Sequence, residues 1–286
     1  NGAHAFMQAL IHEGVDTIFG YPGGAIMPVF VALYDYSDKV NHILTRHEQG
    51  ATHAAQGYAR VSGKVGVSLV TSGPAATNAI TGIADALLDS TPLIVITGQV
   101  GTSLLGTDAF QEIDVVGITQ PITKWSYQIR YAKDIAWAVA RAFYIARSGR
   151  PGPVVLDFTK SAQNEKVDFD YKPCNFIRSY IPVPDIRMDQ IEAAADLINN
   201  AEKPYALVGQ GVILANAEKA LKEFLEKADI PAASTLLGLS AMSTDFRLNK
   251  GFLGMHGNVA PNMKTNECDV LIAIGMRFDD RVTGDL

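Results

Sequence analysis

Short apolar runs rich in β-branched residues alternate with segments of helical apolar spacing through roughly the first 160 residues. Strands of a parallel sheet are buried on both faces and form continuous apolar runs, and the crossover between two of them is usually a helix. The alternation therefore predicts an α/β fold, with a parallel sheet flanked by helices. Strands are expected at residues 65–71, 93–97 and 154–158. Helices are expected at residues 49–62, which are rich in alanine, and at residues 75–88 and 135–147.

The regular alternation stops between residues 160 and 184, where charged residues and prolines become frequent. This change predicts a first domain at residues 1–165, a linker at 166–184 and a second, truncated α/β domain at 185–286. The second domain is expected to contain a helix at residues 188–198 and strands at residues 205–208 and 270–274.

The composition of the chain narrows its function classes. With 48% hydrophobic and 19% charged residues, the chain can bury large cores. The net charge of −6 and the lack of a basic cluster argue against nucleic acid, and no apolar run approaches the ~20 residues that cross a bilayer, so no membrane partner is expected. Cys174 and Cys268 lack metal-ligand spacing, which indicates a reducing compartment, and the cytoplasm is expected. No metal site is predicted within this sequence.

Four stretches that follow predicted strands are candidate binding positions, because ligands bind beyond the carboxyl ends of the strands in open parallel sheets. They are residues 20–24, 46–49, 72–78 and 98–111. Glu48 lies in the second stretch, directly before a helix. Its carboxyl group is either a cap of that helix or an acid in a dry cleft that shares a proton with a ligand nitrogen.

Glycine and proline are concentrated in two of these stretches. Gly20-Tyr21-Pro22-Gly23-Gly24 is either a tight turn or a surface that a flat ligand approaches closely. Ser72-Gly73-Pro74 has the same two interpretations, and Asn78 is expected to face the same edge of the sheet. Neither segment is a Walker loop or a G-x-G-x-x-G motif, so nucleoside triphosphate chemistry is not indicated.

Other segments are ambiguous when taken singly. Phe110 and Gln111 lie in a long loop, and loops of that length are usually functional or mobile. Gly209-Gln210-Gly211 could hold a phosphate, but two glycines are weak evidence for such a site and an ordinary turn is favoured. Arg277-Phe278-Asp279-Asp280-Arg281 is either a solvated charge run or a clamp on a polar ligand.

Several short segments occur in a specific order along the chain. They are Gly20-Tyr21-Pro22-Gly23-Gly24, Arg46-His47-Glu48-Gln49-Gly50, Thr71-Ser72-Gly73-Pro74, Thr77-Asn78, Gly106-Thr107-Asp108-Ala109-Phe110-Gln111-Glu112, Ser148-Gly149-Arg150-Pro151-Gly152-Pro153, Ser234-Thr235-Leu236, Gly254-Met255-His256-Gly257 and Arg277-Phe278-Asp279-Asp280-Arg281-Val282-Thr283-Gly284. In this order and spacing they resemble the acetohydroxyacid synthase (acetolactate synthase) catalytic large subunit family of thiamine-diphosphate-dependent enzymes. The resemblance covers essentially the whole chain.

The resemblance implies a transferase that condenses two pyruvates to acetolactate with release of CO2, or pyruvate with 2-oxobutyrate, in branched-chain amino-acid biosynthesis. It implies thiamine diphosphate, Mg²⁺ and FAD as cofactors. Residues 1–165 would be the pyrimidine-binding domain and 185–286 the start of the FAD-binding domain. The diphosphate-binding domain, with the metal ligands, is absent from this sequence, so the chain alone is expected to be an inactive fragment. A homodimer or homotetramer and a regulatory small subunit are the implied partners.

The same resemblance assigns roles to individual residues. Glu48 would exchange a proton with the aminopyrimidine N1′, and Gly24 and Gln111 would lie where the substrate oxygen develops charge. Thiamine-side contacts are implied at Pro74, Asn78 and Gln111, and substrate-side positions at Phe110, Lys160 and Arg281. Flavin-side positions are implied at Arg150, Gly209, Gly211, Thr235, Leu236, Met255, His256, Arg277, Asp279 and Arg281. Ala75 stands where the family usually has glycine, Gln210 replaces a middle glycine and Thr159 replaces a proline.

Two other function classes remain open at this point. One is a different thiamine diphosphate enzyme, such as a glyoxylate carboligase or a pyruvate oxidase, which product analysis and oxygen consumption would distinguish. The other is a noncatalytic nucleotide-binding or regulatory module, in which Glu48 would serve only as a helix cap.

Overall fold

A computed structural model describes residues 1–284 of the chain. The chain forms two compact units, Asn1–Pro184 and Asp185–Leu286. In the part that the structure describes, no helix combines the length and apolar character needed to cross a bilayer.

A six-stranded parallel sheet forms the centre of the first unit, in the order β2-β1-β3-β4-β6-β5. Its strands are β1 (Thr17–Gly20), β2 (Asn41–Leu44), β3 (Gly66–Val70), β4 (Leu93–Gln99), β5 (Trp125–Ile129) and β6 (Pro153–Thr159). Every residue of β3, β4 and β6 is buried, as expected for central strands of a parallel sheet.

Helices cover both faces of this sheet. They are α1 (Gly2–His12), α2 (Met27–Asp35), α3 (Glu48–Ser62), α4 (Pro74–Asn78), α5 (Ile80–Leu88), α6 (Val115–Thr119), α7 (Ile135–Arg147) and α8 (Lys160–Asn164). Successive side chains of a strand point to opposite faces. Ile94 and Ile96 of β4 accordingly join a core with α1, α2 and α7, whereas Leu93 and Val95 join a core with α3, α4 and α5. The prediction of a parallel sheet flanked by helices is confirmed.

Several elements of the first unit differ from the sequence-based expectation. The helix expected at residues 75–88 is divided at Ala79 into α4 and α5. β5 was not expected, because its polar and aromatic residues do not form an apolar run, and it lies at the sheet edge, where one side of a strand needs no partner.

Residues 166–184, expected to be a linker, belong to the first unit. Ile177 is buried in its core, and Phe169, Tyr171 and Tyr180 pack against that core. The burial of these aromatic side chains attaches the segment to the first unit, although its prolines and charged residues suggested a linker.

The second unit contains a four-stranded parallel sheet in the order β10-β7-β8-β9. Its strands are β7 (Pro204–Val208), β8 (Ala232–Ser234), β9 (Asn249–Phe252) and β10 (Val270–Ile274), and its helices are α9 (Met188–Asn199), α10 (Gly211–Leu214), α11 (Glu218–Ala228), α12 (Val259–Glu267) and α13 (Asp280–Thr283). β8 and β9 carried no strand signal, because alanine and glycine have low strand propensity and pairing with neighbours supplies the stability.

Candidate active site

The glycine-rich turn after β1 lies against the segment that follows β3. The Ala25 N–H donates to Thr71 Oγ1 at 3.3 Å. A Cβ atom added at Gly23 would collide with the Thr71 side chain, whereas one added at Gly24 would meet open space. Gly23 is therefore required for packing between the two segments, and Gly24 leaves room at the carboxyl edge of the sheet.

These two glycines provide a matched prediction. Gly23→Ala is expected to lower the free energy of unfolding by about 1–3 kcal/mol through overpacking against Thr71. Gly24→Ala should change it by less than about 0.5 kcal/mol, since the new methyl group enters free space. Urea denaturation of both variants checks this pair, and equal losses would contradict the assignment of Gly23 to packing.

Glu48 is the first residue of α3, but it does not cap that helix. The cap is His47, whose Nδ1 accepts the Gln49 N–H at 3.1 Å. The capping interpretation of Glu48 is therefore wrong. Glu48 as a whole residue is only 8% exposed, and Asn78 Nδ2 donates to its Oε2 at 3.0 Å. Among the residues that the structure describes, none donates a hydrogen bond to Oε1 of Glu48.

Asn78 reaches Glu48 because the segment after β3 turns sharply into a short helix. Gly73 adopts a φ of 58°, and Pro74 begins α4, a position where its missing N–H costs nothing. Ala75 follows with a φ outside the left-handed region, so alanine is unstrained here. Asn78 is the last residue of α4, which brings its amide to the start of α3.

The loop between β4 and α6 contacts the same turn. A Cβ atom added at Gly73 would lie 2.7 Å from the backbone oxygen of Gln111, so the loop backbone is seated directly on this glycine. Gln111 has a φ of 60°, and the Phe110 ring is 87% exposed. The segments after β1, β3 and β4 and the start of α3 are thus brought together at one edge of the sheet.

Glu112 organises the interior of this loop and was not recognised as a structural residue in the sequence. Its carboxylate accepts the N–H groups of Gly106, Thr107 and Ala109. These backbone hydrogen bonds lower the pKa of Glu112, with the bond from Gly106 contributing most. The sequence signal that could have identified this role of Glu112 was an acidic residue shortly after Gly106 in a long loop.

A buried polar cluster beneath the loop was also missed. Asp157 of β6 is 0% exposed and accepts hydrogen bonds from Thr97 (2.8 Å), Gln99 (3.1 Å) and Gln128 (2.8 Å). Burial raises the pKa of Asp157 to about 6, partly offset by these hydrogen bonds. Polar residues at the ends of two apolar runs were the signal that could have identified it.

Two predicted site residues, Lys160 and Arg150, lie on either side of β6 in the chain. Lys160 begins α8 and is exposed, and Thr159 caps this helix by accepting the Ala162 N–H at 3.4 Å, which explains a residue other than proline there. Arg150 donates to Ser90 Oγ and to two carbonyl groups at the C-terminal end of α5. The guanidinium of Arg150 is therefore occupied within the first unit.

In the second unit, the predicted flavin-side residues follow β7, β8, β9 and β10 and meet at the carboxyl edge of that sheet. Gly211 N–H donates to Gly275 O at 2.8 Å, and Met255 N–H donates to Arg281 O at 2.7 Å. Thr235 N–H donates to Val208 O at 2.9 Å. The exposed side chains at this edge include Leu236, Met255, His256, Arg277 and Arg281.

The charged residues of this edge neutralise one another. Arg277 pairs with Asp279 at 3.3 Å and Arg281 lies 3.7 Å from Asp280, while the Asp279 side chain also caps α13. These contacts are consistent with both interpretations of the sequence, a solvated charge run and a clamp on a polar ligand. Within residues 1–284, no group of three or more His, Cys, Asp or Glu side chains is arranged to hold a metal ion.

Comparison with family models defines the class of this protein. Residues 1–118 match the model described as "Thiamine pyrophosphate enzyme, N-terminal TPP binding domain", and residues 191–286 match the central domain of the same enzymes. The chain belongs to the thiamine pyrophosphate enzymes.

Individual relatives narrow this class. The whole chain is 50% identical to the acetolactate synthase large subunit of Corynebacterium glutamicum, over 45% of that protein. It is also 50% identical, over its full length, to the isozyme 2 large subunit of Escherichia coli and to a probable large subunit of Methanocaldococcus jannaschii, covering 51% and 48% of those chains. Within its class, the chain belongs to the acetolactate synthase large-subunit family. It spans about half the length of the curated relatives it matches.

Proposed function

We propose that the full-length protein carrying this chain is an acetolactate synthase, and that the first unit binds the pyrimidine half of thiamine diphosphate. The observation that carries the proposal is the pair formed by Glu48 and Asn78. Glu48 is 8% exposed, Asn78 donates a hydrogen bond to one of its carboxyl oxygens, and His47 rather than Glu48 caps α3. The Glu48 carboxyl group is therefore suited to exchange a proton with a ring nitrogen.

The residues around this pair fit the cofactor. Gly24 leaves open space beside the glycine turn, and Pro74 is exposed at the same edge. Bound thiamine diphosphate supplies a carbon nucleophile that attacks the carbonyl group of a 2-oxo acid. Glu48 would hold the exchangeable proton at the pyrimidine, while Asn78 would keep its carboxyl group oriented.

The loop between β4 and α6 would contribute to substrate binding. Gln111 is exposed beside Gly73, where an amide could donate to the oxygen that gains charge during the reaction. Phe110 would form an apolar wall next to it. Lys160, exposed at the start of α8, is proposed to attract the carboxylate of pyruvate or 2-oxobutyrate.

For the second unit we propose FAD binding at the carboxyl edge of its sheet, the position at which open parallel sheets bind ligands. The gathering of four loops there and their exposed arginine, histidine and apolar side chains support this assignment. The proposed flavin-side residues of this unit are Gly209, Gly211, Thr235, Leu236, Met255, His256, Arg277, Asp279 and Arg281. Gly209 and Gly211 are needed in any case, because added Cβ atoms would collide with the segment after β10.

The remaining assignments rest on the family. We propose Mg²⁺ held by residues outside this chain, a homodimer or homotetramer, a cytoplasmic location and a regulatory small subunit. The relatives named as large subunits support the last of these.

Product analysis of the full-length protein tests the function. With pyruvate, thiamine diphosphate, Mg²⁺ and FAD, we expect acetolactate and CO2 in equal amounts, without net oxygen consumption. Stoichiometric oxygen uptake would instead identify an oxidase, and the absence of any product together with the absence of thiamine diphosphate binding would favour a noncatalytic module.

A further inference from the structure

Gln99 occupies an unusual position at the end of β4. Its side chain is 1% exposed, and its Nε2 donates both to Asp157 Oδ2 at 3.1 Å and to Ile113 O at 2.9 Å. Its Oε1 accepts the Val100 N–H at 2.9 Å. Val100 is the first residue after β4, and Ile113 lies just before α6. One buried amide therefore holds both ends of the loop at residues 100–114.

Asp157 fixes the orientation of that amide. Its carboxylate accepts from Thr97, Gln99 and Gln128, which come from β4 and β5 on either side of β6. Because the two strands are paired with β6 in fixed register, these donors cannot move independently of the sheet. The side chain of Gln99 is consequently tied to the most rigid part of the first unit.

The loop that Gln99 holds is the one that carries Phe110 and Gln111. Inside the loop, Glu112 accepts three backbone N–H groups, so the segment from Gly106 to Glu112 is internally braced. A braced segment moves as a unit when its ends move. A shift of the loop ends at Val100 and Ile113 would therefore move Gln111 away from its contact with Gly73.

We propose that Gln99, oriented by Asp157, is a positioning residue that anchors both ends of the loop at residues 100–114 and so places Gln111 at the reaction site. The anchoring follows from the contacts of the first unit alone. Its consequence for catalysis rests on the proposed function.

Gln128 supplies a matched control. Like Gln99, it donates an Nε2 hydrogen bond to Asp157 Oδ2, but its Oε1 accepts from Arg130 of its own strand end and it makes no hydrogen bond to the loop. Gln99→Leu and Gln128→Leu each remove one hydrogen bond to the same carboxylate oxygen. If Gln99 served only to donate a hydrogen bond to Asp157, the two variants would give the same result.

Hydrogen–deuterium exchange in the full-length protein without cofactors tests the anchoring. Gln99→Leu is expected to accelerate amide exchange in peptides from residues 100–114 by about tenfold, and Gln128→Leu by less than about twofold. Gln99→Asn, whose amide is one methylene too short to reach both Ile113 and Asp157, should behave like Gln99→Leu if the latter folds poorly. Equal exchange in the Gln99 and Gln128 variants would overturn the proposal.

Kinetics of the loaded enzyme test the consequence. In Gln99→Leu we expect kcat to fall about tenfold with little change in KM, because a displaced Gln111 affects charge that develops in the transition state. Gln128→Leu should retain both constants, and equal kcat values for the two variants would overturn the positioning role. If the wild-type protein forms no acetolactate, the proposed function fails, whereas the exchange experiment still decides whether Gln99 anchors the loop.

Discussion

Glu48→Gln is expected to lower acetolactate formation by the full-length enzyme by roughly 10²–10⁴-fold, the usual contribution of a positioned acid or base. The substitution preserves the size of the side chain, and the Gln oxygen can still accept the hydrogen bond from Asn78 Nδ2. It removes only the ability to exchange a proton. Hydrogen–deuterium exchange at C2 of bound thiamine diphosphate should slow by a similar factor, which gives a measurement independent of turnover.

His47→Asn is the control for Glu48→Gln. Asparagine retains an oxygen that caps α3, so the start of the helix is preserved while the neighbouring imidazole is removed. Its effect on C2 exchange should be small. Unchanged C2 exchange in Glu48→Gln, with the cofactor bound, would show that this acid is not the proton-exchanging group.

Asp157→Asn is expected to stabilise the protein relative to wild type, and the gain should increase as the pH rises from about 4 to 7. Burial raises the pKa of Asp157 from 3.8 to about 6, with a smaller contribution from the negative charge of Asp114. In this pH window the folded state binds more protons at Asp157 than the unfolded state does, so stability falls as the pH rises. With about 1.4 kcal/mol per pKa unit, the full effect is roughly 3 kcal/mol.

The asparagine variant keeps the hydrogen bonds of the buried cluster. Its carbonyl oxygen can accept from Gln99 and Gln128, and its amide can donate to the Thr97 hydroxyl group. Urea midpoints of wild type and variant near pH 4.5 and pH 7 measure the difference. Asp168→Asn, at an exposed position, is the control. A stability difference that does not change with pH would mean that Asp157 is not protonated on folding in this range.

Much of the fold of both units was predictable, because the spacing of apolar residues along one segment indicates which of them are buried. The helix at Ile135–Arg147 and the strand at Val270–Ile274 were predicted with the bounds that the structure has. β5 was missed because an edge strand with polar and aromatic residues has no apolar run, and the packing of residues 166–184 on the first unit was missed because isolated aromatic residues lack a period.

The order of motifs in the sequence determined the family and drew attention to Glu48, Asn78 and Gln111, since these depend only on residue type and spacing. Only the tertiary structure decided that His47 rather than Glu48 caps α3, and that Asn78 holds the freed carboxyl group. It also revealed that Asp157 and Gln99 form a buried anchor beneath the loop. Such contacts join residues about 30 to 60 positions apart. The packing of separate helices and strands sets them, and no local sequence pattern records that packing.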